Sequence, residues 1–168
     1  ASASLPIEES PVPSDVGPWD MLTTGKTEHL CGLKTDGSAW CWGDNTYGQL
    51  GNGTLISEDV PVEVSGGDTW VEISTGRRHT CGIKSDGTGW CWGSAGNGAL
   101  GNGVSTNVKY DTPQAISGGG TWKTIASGSA HVCGIKNDDE LYCWGIAGAG
   151  RLGNNQTTGV YATPQLVL

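Results

Sequence analysis

Apolar and polar residues alternate along this chain in short runs, and the runs return in a fixed order. "WVEIST" (70–75) alternates and stops at Gly76, "HTCGIK" (79–84) follows, and a Ser-Asp-Gly turn separates it from "GWCWG" (89–93). Strands of four to six residues bounded by Gly, Asn, Asp and Pro predict an all-β protein. A Gly/Asn-rich loop (94–111) then leads to a Pro-led strand, "PQAI" (113–116). Proline there suits an outer edge strand, where its missing N–H leaves no ladder bond unmade.

The whole pattern is written three times. "HTCGIKSDGTGWCWG" (79–93) returns as "HLCGLKTDGSAWCWG" (29–43) and "HVCGIKNDDELYCWG" (131–145), and Trp19, Trp70 and Trp122 stand 51 and 52 residues apart. A period near 50 residues lies in the range of propeller blades. The predicted fold is three four-stranded antiparallel blades of a β-propeller, at 19–69, 70–121 and 122–168. The Pro-led strand occurs a fourth time, at Pro11 as well as Pro61, Pro113 and Pro164. Residues 1–18 therefore read as an N-terminal arm with a surplus outer strand. Propellers typically have four to eight blades, so three leave an apolar blade face bare at each end. Large bare patches are rare on monomers. The expectation is a ring completed by self-association or by a longer chain, or a filament where the rotation does not close.

The hairpin arithmetic places the cysteines. With Lys84 opposite Thr88, the pairs run Ile83–Gly89, Gly82–Trp90 and Cys81–Cys91. A three-residue turn with Gly in the left-handed position sets this register. The same count pairs Cys31 with Cys41 and Cys133 with Cys143, and facing cysteines on adjacent strands are within disulfide reach. Buried thiols and a metal set are the alternatives. His29, His79 and His131 each lie two residues before a Cys, but a structural zinc wants four ligands and no fourth recurs. The histidines are expected to bond backbone at the strand start. Asp139 replaces the turn glycine in the third copy, which predicts an altered turn with the pairing kept. Trp90 faces Gly82 and Trp40 faces Gly32, so those indoles are expected to cover the bare glycines. The tryptophans read as inter-blade core, with a sugar-binding surface as the sharper alternative.

Composition narrows the function. The chain has 29 Gly, 8 Trp, 6 Cys and no Phe, and its net charge is −8. Acidity argues against nucleic acid, whose binding is driven by Lys and Arg. No apolar run approaches the ~20 residues of a spanning helix. The small residues of the opening "ASAS" fit a signal-peptidase cut, and paired cysteines fit an oxidising compartment. The expected location is therefore extracellular or cell-surface. There is no Gly-x-Ser-x-Gly elbow and no Lys-Ser/Thr after the Gly-rich loops. No catalytic residue, cofactor or metal is assigned. "NDDE" (137–140) reads as a solvated turn, and Asn52 and Asn155 head glycosylation tripeptides.

Trp70, Gly76, His79, Cys81, Asp86, Gly87, Trp92, Gly93, Gly98, Leu100, Gly101, Gly103 and Pro113 together resemble the regulator of chromosome condensation repeat, as does "WGDNTYGQLGNGT" (42–54). The resemblance covers residues 11 to 168 and implies propeller blades. It spans exchange factors, photoreceptors and secreted inhibitors, so it does not fix a function. Arg77 stands where the photoreceptors' motif has Trp, and no basic tail suggests chromatin. The secreted, non-enzymatic branch fits best. Two readings follow: an extracellular scaffold acting through inter-chain blade contacts, and a protein-binding module such as an enzyme inhibitor using loops on one ring face. Candidate contacts are Tyr47, Arg77, Arg78, Tyr110, Arg151 and Tyr161, because Tyr and Arg are enriched at interface hot spots.

Overall fold

The structure, a computed structural model, describes residues 17–25 and 28–168; the surplus strand around Pro11 lies outside them. The described residues form three four-stranded antiparallel sheets, each in sequence order. The first holds β1 (Trp19–Thr24), β2 (His29–Lys34), β3 (Ala39–Gly43) and β4 (Glu58–Glu63). The second holds β5 (Trp70–Thr75), β6 (His79–Lys84), β7 (Gly89–Ser94) and β8 (Lys109–Ala115). The third holds β9 (Trp122–Ser127), β10 (His131–Lys136), β11 (Leu141–Ile146) and β12 (Val160–Leu166). Strand β5 lies against β1 and β9 of its neighbours, so the first strand of each blade is inner and the fourth outer.

The central hairpins follow from the turn chemistry. Gly87 adopts φ 83°, its N–H donates to Lys84 O at 2.8 Å, and Lys84 N–H donates to Thr88 O at 3.0 Å. The Asp86 carboxylate accepts from Thr88 N–H at 2.9 Å, fixing the turn from its own side chain. Cys81 then faces Cys91 in register, as Cys31 faces Cys41 and Cys133 faces Cys143. All three pairs are disulfides with Cα atoms 4.0–4.1 Å apart. Asp139 takes the same left-handed conformation, φ 68°, which Asp tolerates better than most residues. The third turn is thus unaltered in shape.

Two details differ from the sequence reading. The outer strands start before their prolines, at Lys109 and Val160 rather than at Pro113 and Pro164. An outer strand pairs on one side only, so a proline inside it is tolerated. Gly82 is covered by Trp70 instead of Trp90. A Cβ on Gly82 would lie 2.8 Å from the Trp70 ring, and the same relation holds for Gly32 with Trp19 and Gly134 with Trp122. The register shift between Trp70 and Glu72 marks a bulge, and a bulge re-aims a side chain. Trp90 stands aside, its Nε1 donating to Thr88 Oγ1 at 2.8 Å with Lys84 Nζ 3.7 Å from its ring centroid.

The core lies between sheets. Cys31, Leu33, Cys41 and Leu50 of the first blade meet Trp70, Ile73 and Trp92 of the second. Cys81, Ile83, Cys91 and Leu100 of the second meet Trp122, Ile125 and Trp144 of the third.

The glycine beneath the inner tryptophan is therefore a packing requirement. Gly82→Ala would place Cβ 2.8 Å from the Trp70 ring and 2.9 Å from Glu72 O. Overpacking of this kind costs about 1–3 kcal/mol. A lowered urea midpoint, followed by tryptophan fluorescence, is the expected result; an unchanged midpoint contradicts the packing described.

Candidate functional site

Strand alternation gives each blade two unlike faces. One carries the disulfide, the other the tryptophans, and the disulfide face of one blade meets the tryptophan face of the next. Trp92 Nε1 donates to Gln49 O at 2.9 Å, and Trp144 Nε1 donates to Ala99 O at 2.9 Å. Nearer the axis, Glu72 accepts from Thr124 Oγ1 at 2.9 Å and from Ile125 N–H at 3.1 Å. These polar groups inside the seam are paired, which keeps their burial favourable.

Two faces have no neighbouring blade among the described residues. The tryptophan face of the first blade presents Trp19, 39% exposed, and Leu22, 61% exposed. On the disulfide face of the third blade Cys143, Ala147 and Leu152 form a small cluster with Tyr161 and Val167. That second face departs from the repeat. Ala39 and Gly89 are small where the next blade's tryptophan lies, and a Cβ on Gly89 would sit 2.6 Å from Trp122 Cδ1. The matching residue of the third blade is Leu141, 39% exposed.

A polar cleft opens on the end of the arc where the β5–β6 and β7–β8 loops emerge. Its volume is about 510 Å³, and its walls come from all three blades: Tyr47 from the first, Arg77, Arg78 and Lys109 from the second, Ser129 from the third. Arg78 Cζ lies 4.4 Å from the Tyr47 ring centroid and Lys109 Nζ lies 5.4 Å from it. Cations over an aromatic face are attracted by its quadrupole.

The structure therefore brings three of the six candidate contacts together, Tyr47, Arg77 and Arg78, and separates the rest. Tyr110 and Tyr161 are half-buried residues of β8 and β12, packed on apolar clusters rather than presented by loops. Arg151 Nε donates to Gly148 O at 2.7 Å within its own turn. Lys109 was missed because its aromatic partner belongs to another blade. Its signal was a lysine beside Tyr110 at the start of an outer strand.

His29 and His79 occupy the seams, and His131 lies half-buried on the third blade. Thr80 Oγ1 donates its one hydrogen to Gln49 O at 2.8 Å, so His29 Nε2, 3.0 Å from that oxygen, donates to Thr80. The partner is a side chain across the seam, not the backbone expected, because the strand start is buried against the next blade. Burial holds the His79 ring down at about 3 and the His29 ring at about 4, the latter against the raising effect of Asp44. His131 is lowered by burial and then by Arg151. Among the described residues, no group of three or more His, Cys, Asp or Glu is placed to hold a metal, and no helix is long and apolar enough to cross a membrane.

The regulator of chromosome condensation (RCC1) repeat model matches residues 36–83 and 86–135, and a second model of that repeat matches 70–99 and 122–151. The human E3 ubiquitin-protein ligase HERC2 is 32% identical over 148 residues, 86% of this chain and 3% of HERC2. This chain thus spans about 3% of the length of such a relative. Human WBSCR16 superposes with a TM-score of 0.81 at 20% identity, over 92% of this chain and 39% of that one. Prp20p from Saccharomyces cerevisiae, studied for its binding to Gsp1p and histones, gives 0.75 at 18% identity, over 89% and 38%. At these identities the solved structures show the fold.

The buried histidines tie stability to acid. Their native pKa values lie below the unfolded 6.5, so the unfolded chain takes up protons first. Their contribution is complete above pH 6.5 and is lost as pH falls toward 4 and then 3. Between pH 7 and pH 4.5 the expected loss is about 2 kcal/mol for each of His29 and His79. Urea midpoints measured at the two pH values should fall accordingly, and a flat profile would contradict neutral burial.

Proposed function

The chain belongs to the regulator of chromosome condensation repeat family, and from that membership we propose that it works as a non-enzymatic protein-binding scaffold, extracellular or at the cell surface. The observation that carries this reading is the cleft, whose walls draw on every blade. A rigid scaffold holding loop residues in fixed relation is what recognition needs. Yeast RCC1 (Prp20), of the same fold, has been solved with Kap60 bound to it, which supports protein recognition on such a frame. The three disulfides favour an oxidising compartment. His29 and His79 lie neutral and buried inside the seams, which favours a role without catalysis.

A second reading is lateral joining of copies, favoured by the bare indole of Trp19 and the exposed Leu22. The joint would differ from the internal seams. Leu141 fills the space that Gly89 leaves for Trp122, so a second copy would meet the third blade in a shifted position.

Each reading has its own measurement. Immobilised protein should retain a partner from its native medium, and Arg78→Glu with Lys109→Glu should release that partner. Retention by the double variant would rule out the loop face. Light scattering on the intact chain should give a mass above one copy, reduced to one copy by Leu22→Glu. A monomeric parent protein would eliminate lateral joining between copies.

A further inference from the structure

We infer that the cleft between Tyr47 and Arg78 is a binding site for a short carboxylate-rich peptide segment, a substrate class that rests on the protein-binding reading above. This acidic chain has nine cations. Lys34, Lys84 and Lys136 lie over aromatic rings of their own blades, at equivalent positions. Lys123 pairs with Asp139 at 2.9 Å, and Arg151 bonds its own turn. Lys26 lies outside the described residues. Arg78 and Lys109 line the cleft together with Arg77, and among the described residues no Asp or Glu lines it.

The same place breaks the repeat. Where the second blade has Arg78, the first and third have Glu28 and Ala130. Where it has Lys109, they have Ser57 and Val160. Where the first blade has Tyr47, the others have Asn97 and Ala149. Repeated residues serve the blade. These three exceptions come from two loops and the start of β8, and the fold gathers them around one ring.

Their chemistry selects the ligand. A guanidinium stacked on a tyrosine keeps its edge N–H groups for a carboxylate, and an ammonium adds a second, less directional site. Asp44, three residues before Tyr47, accepts from Thr46 Oγ1 and from Gln49 Nε2 at 2.7 Å and does not line the cleft. The volume, about 510 Å³, is in the range that encloses a small ligand or a few side chains. The surrounding net charge of −8 limits the ligand's length. Screening acts over about 8 Å at physiological salt, so a few carboxylates inside the cleft are attracted, while a long polyanion running over the acidic surface is repelled. A peptide is therefore favoured over a sulfated glycan or a nucleic acid.

The test uses a fluorescein-labelled hexaglutamate peptide and fluorescence anisotropy with the intact, oxidised protein. Saturable binding that weakens between low and physiological salt is expected. Arg78→Ala and Lys109→Ala should each weaken it about tenfold, while Lys123→Ala, outside the cleft, should leave it unchanged. Near-UV circular dichroism of the tryptophans checks that each variant is folded. Absence of saturable binding, or binding indifferent to Arg78 and Lys109, overturns the inference. So does a heparin fragment that binds through these residues more tightly than the peptide. If the protein still captures a partner through Arg78 and Lys109 while ignoring hexaglutamate, the scaffold reading stands and the acidic-peptide assignment alone falls.

Discussion

The indole–glycine interlock between successive blades is the contact on which the rest of the molecule depends. The Trp92 ring lies where a Cβ on Gly51 would be, 2.6 Å from Nε1, and Trp144 stands in the same relation to Gly101 at 2.8 Å. Both glycines are left-handed, φ 69° and 67°, so the chain turns sharply, and the carbonyl two residues before each accepts from the indole N–H. Hydrogen bond and close packing are made by one side chain at one place. A large indole buried this way contributes more than most contacts in a chain with no Phe. Because the disulfide occupies the opposite face of the same hairpin, a blade is two-faced and is covered only by stacking on unlike faces.

That two-facedness explains what the sequence made legible. The cysteine pairing, the turn and the blade order follow from spacing within one hairpin, and local geometry decides them. What escaped depended on partners far away in the chain. The bulge beside Trp70 moves that ring over Gly82, yet alternation alone assigns the position to Trp90. Tyr110 and Tyr161 look like loop residues after a glycine-rich stretch, but edge strands extend back to include them. Lys109 gains its aromatic partner, Tyr47, only once two blades are stacked.

Repetition and its exceptions therefore carry different information. A residue found in all three copies is held by the seam: the cysteines, the inner tryptophans, the histidines, the glycine under each indole. The histidines show the force of that constraint. His29 and His79 are buried and neutral, and His29 Nε2 donates across the seam to Thr80. An ionisable side chain at such a site belongs to the assembly of the blades. Residues that depart from the repeat are released from the seam, and on the loop end their departures can be shaped by a ligand.

The third blade applies the same logic to the ends of the arc. Gly87 stays bare because Thr121 of the next blade would lie 2.9 Å from its Cβ, and Gly89 because Trp122 lies beyond it. At the matching positions the third blade carries Asp139 and Leu141, both larger, and Asp139 spends its carboxylate on Lys123 of its own blade. These substitutions fit a face from which the constraint of an identical following blade has been lifted. The first blade shows no such change: Trp19 still lies over Gly32, and Trp42 still approaches it at 5.9 Å, as Trp92 does Trp70 at 5.4 Å. The two ends are therefore not equivalent. The tryptophan end keeps the full form of a seam, whereas the disulfide end has drifted from it, so lateral contact through the two ends would join surfaces shaped by different constraints.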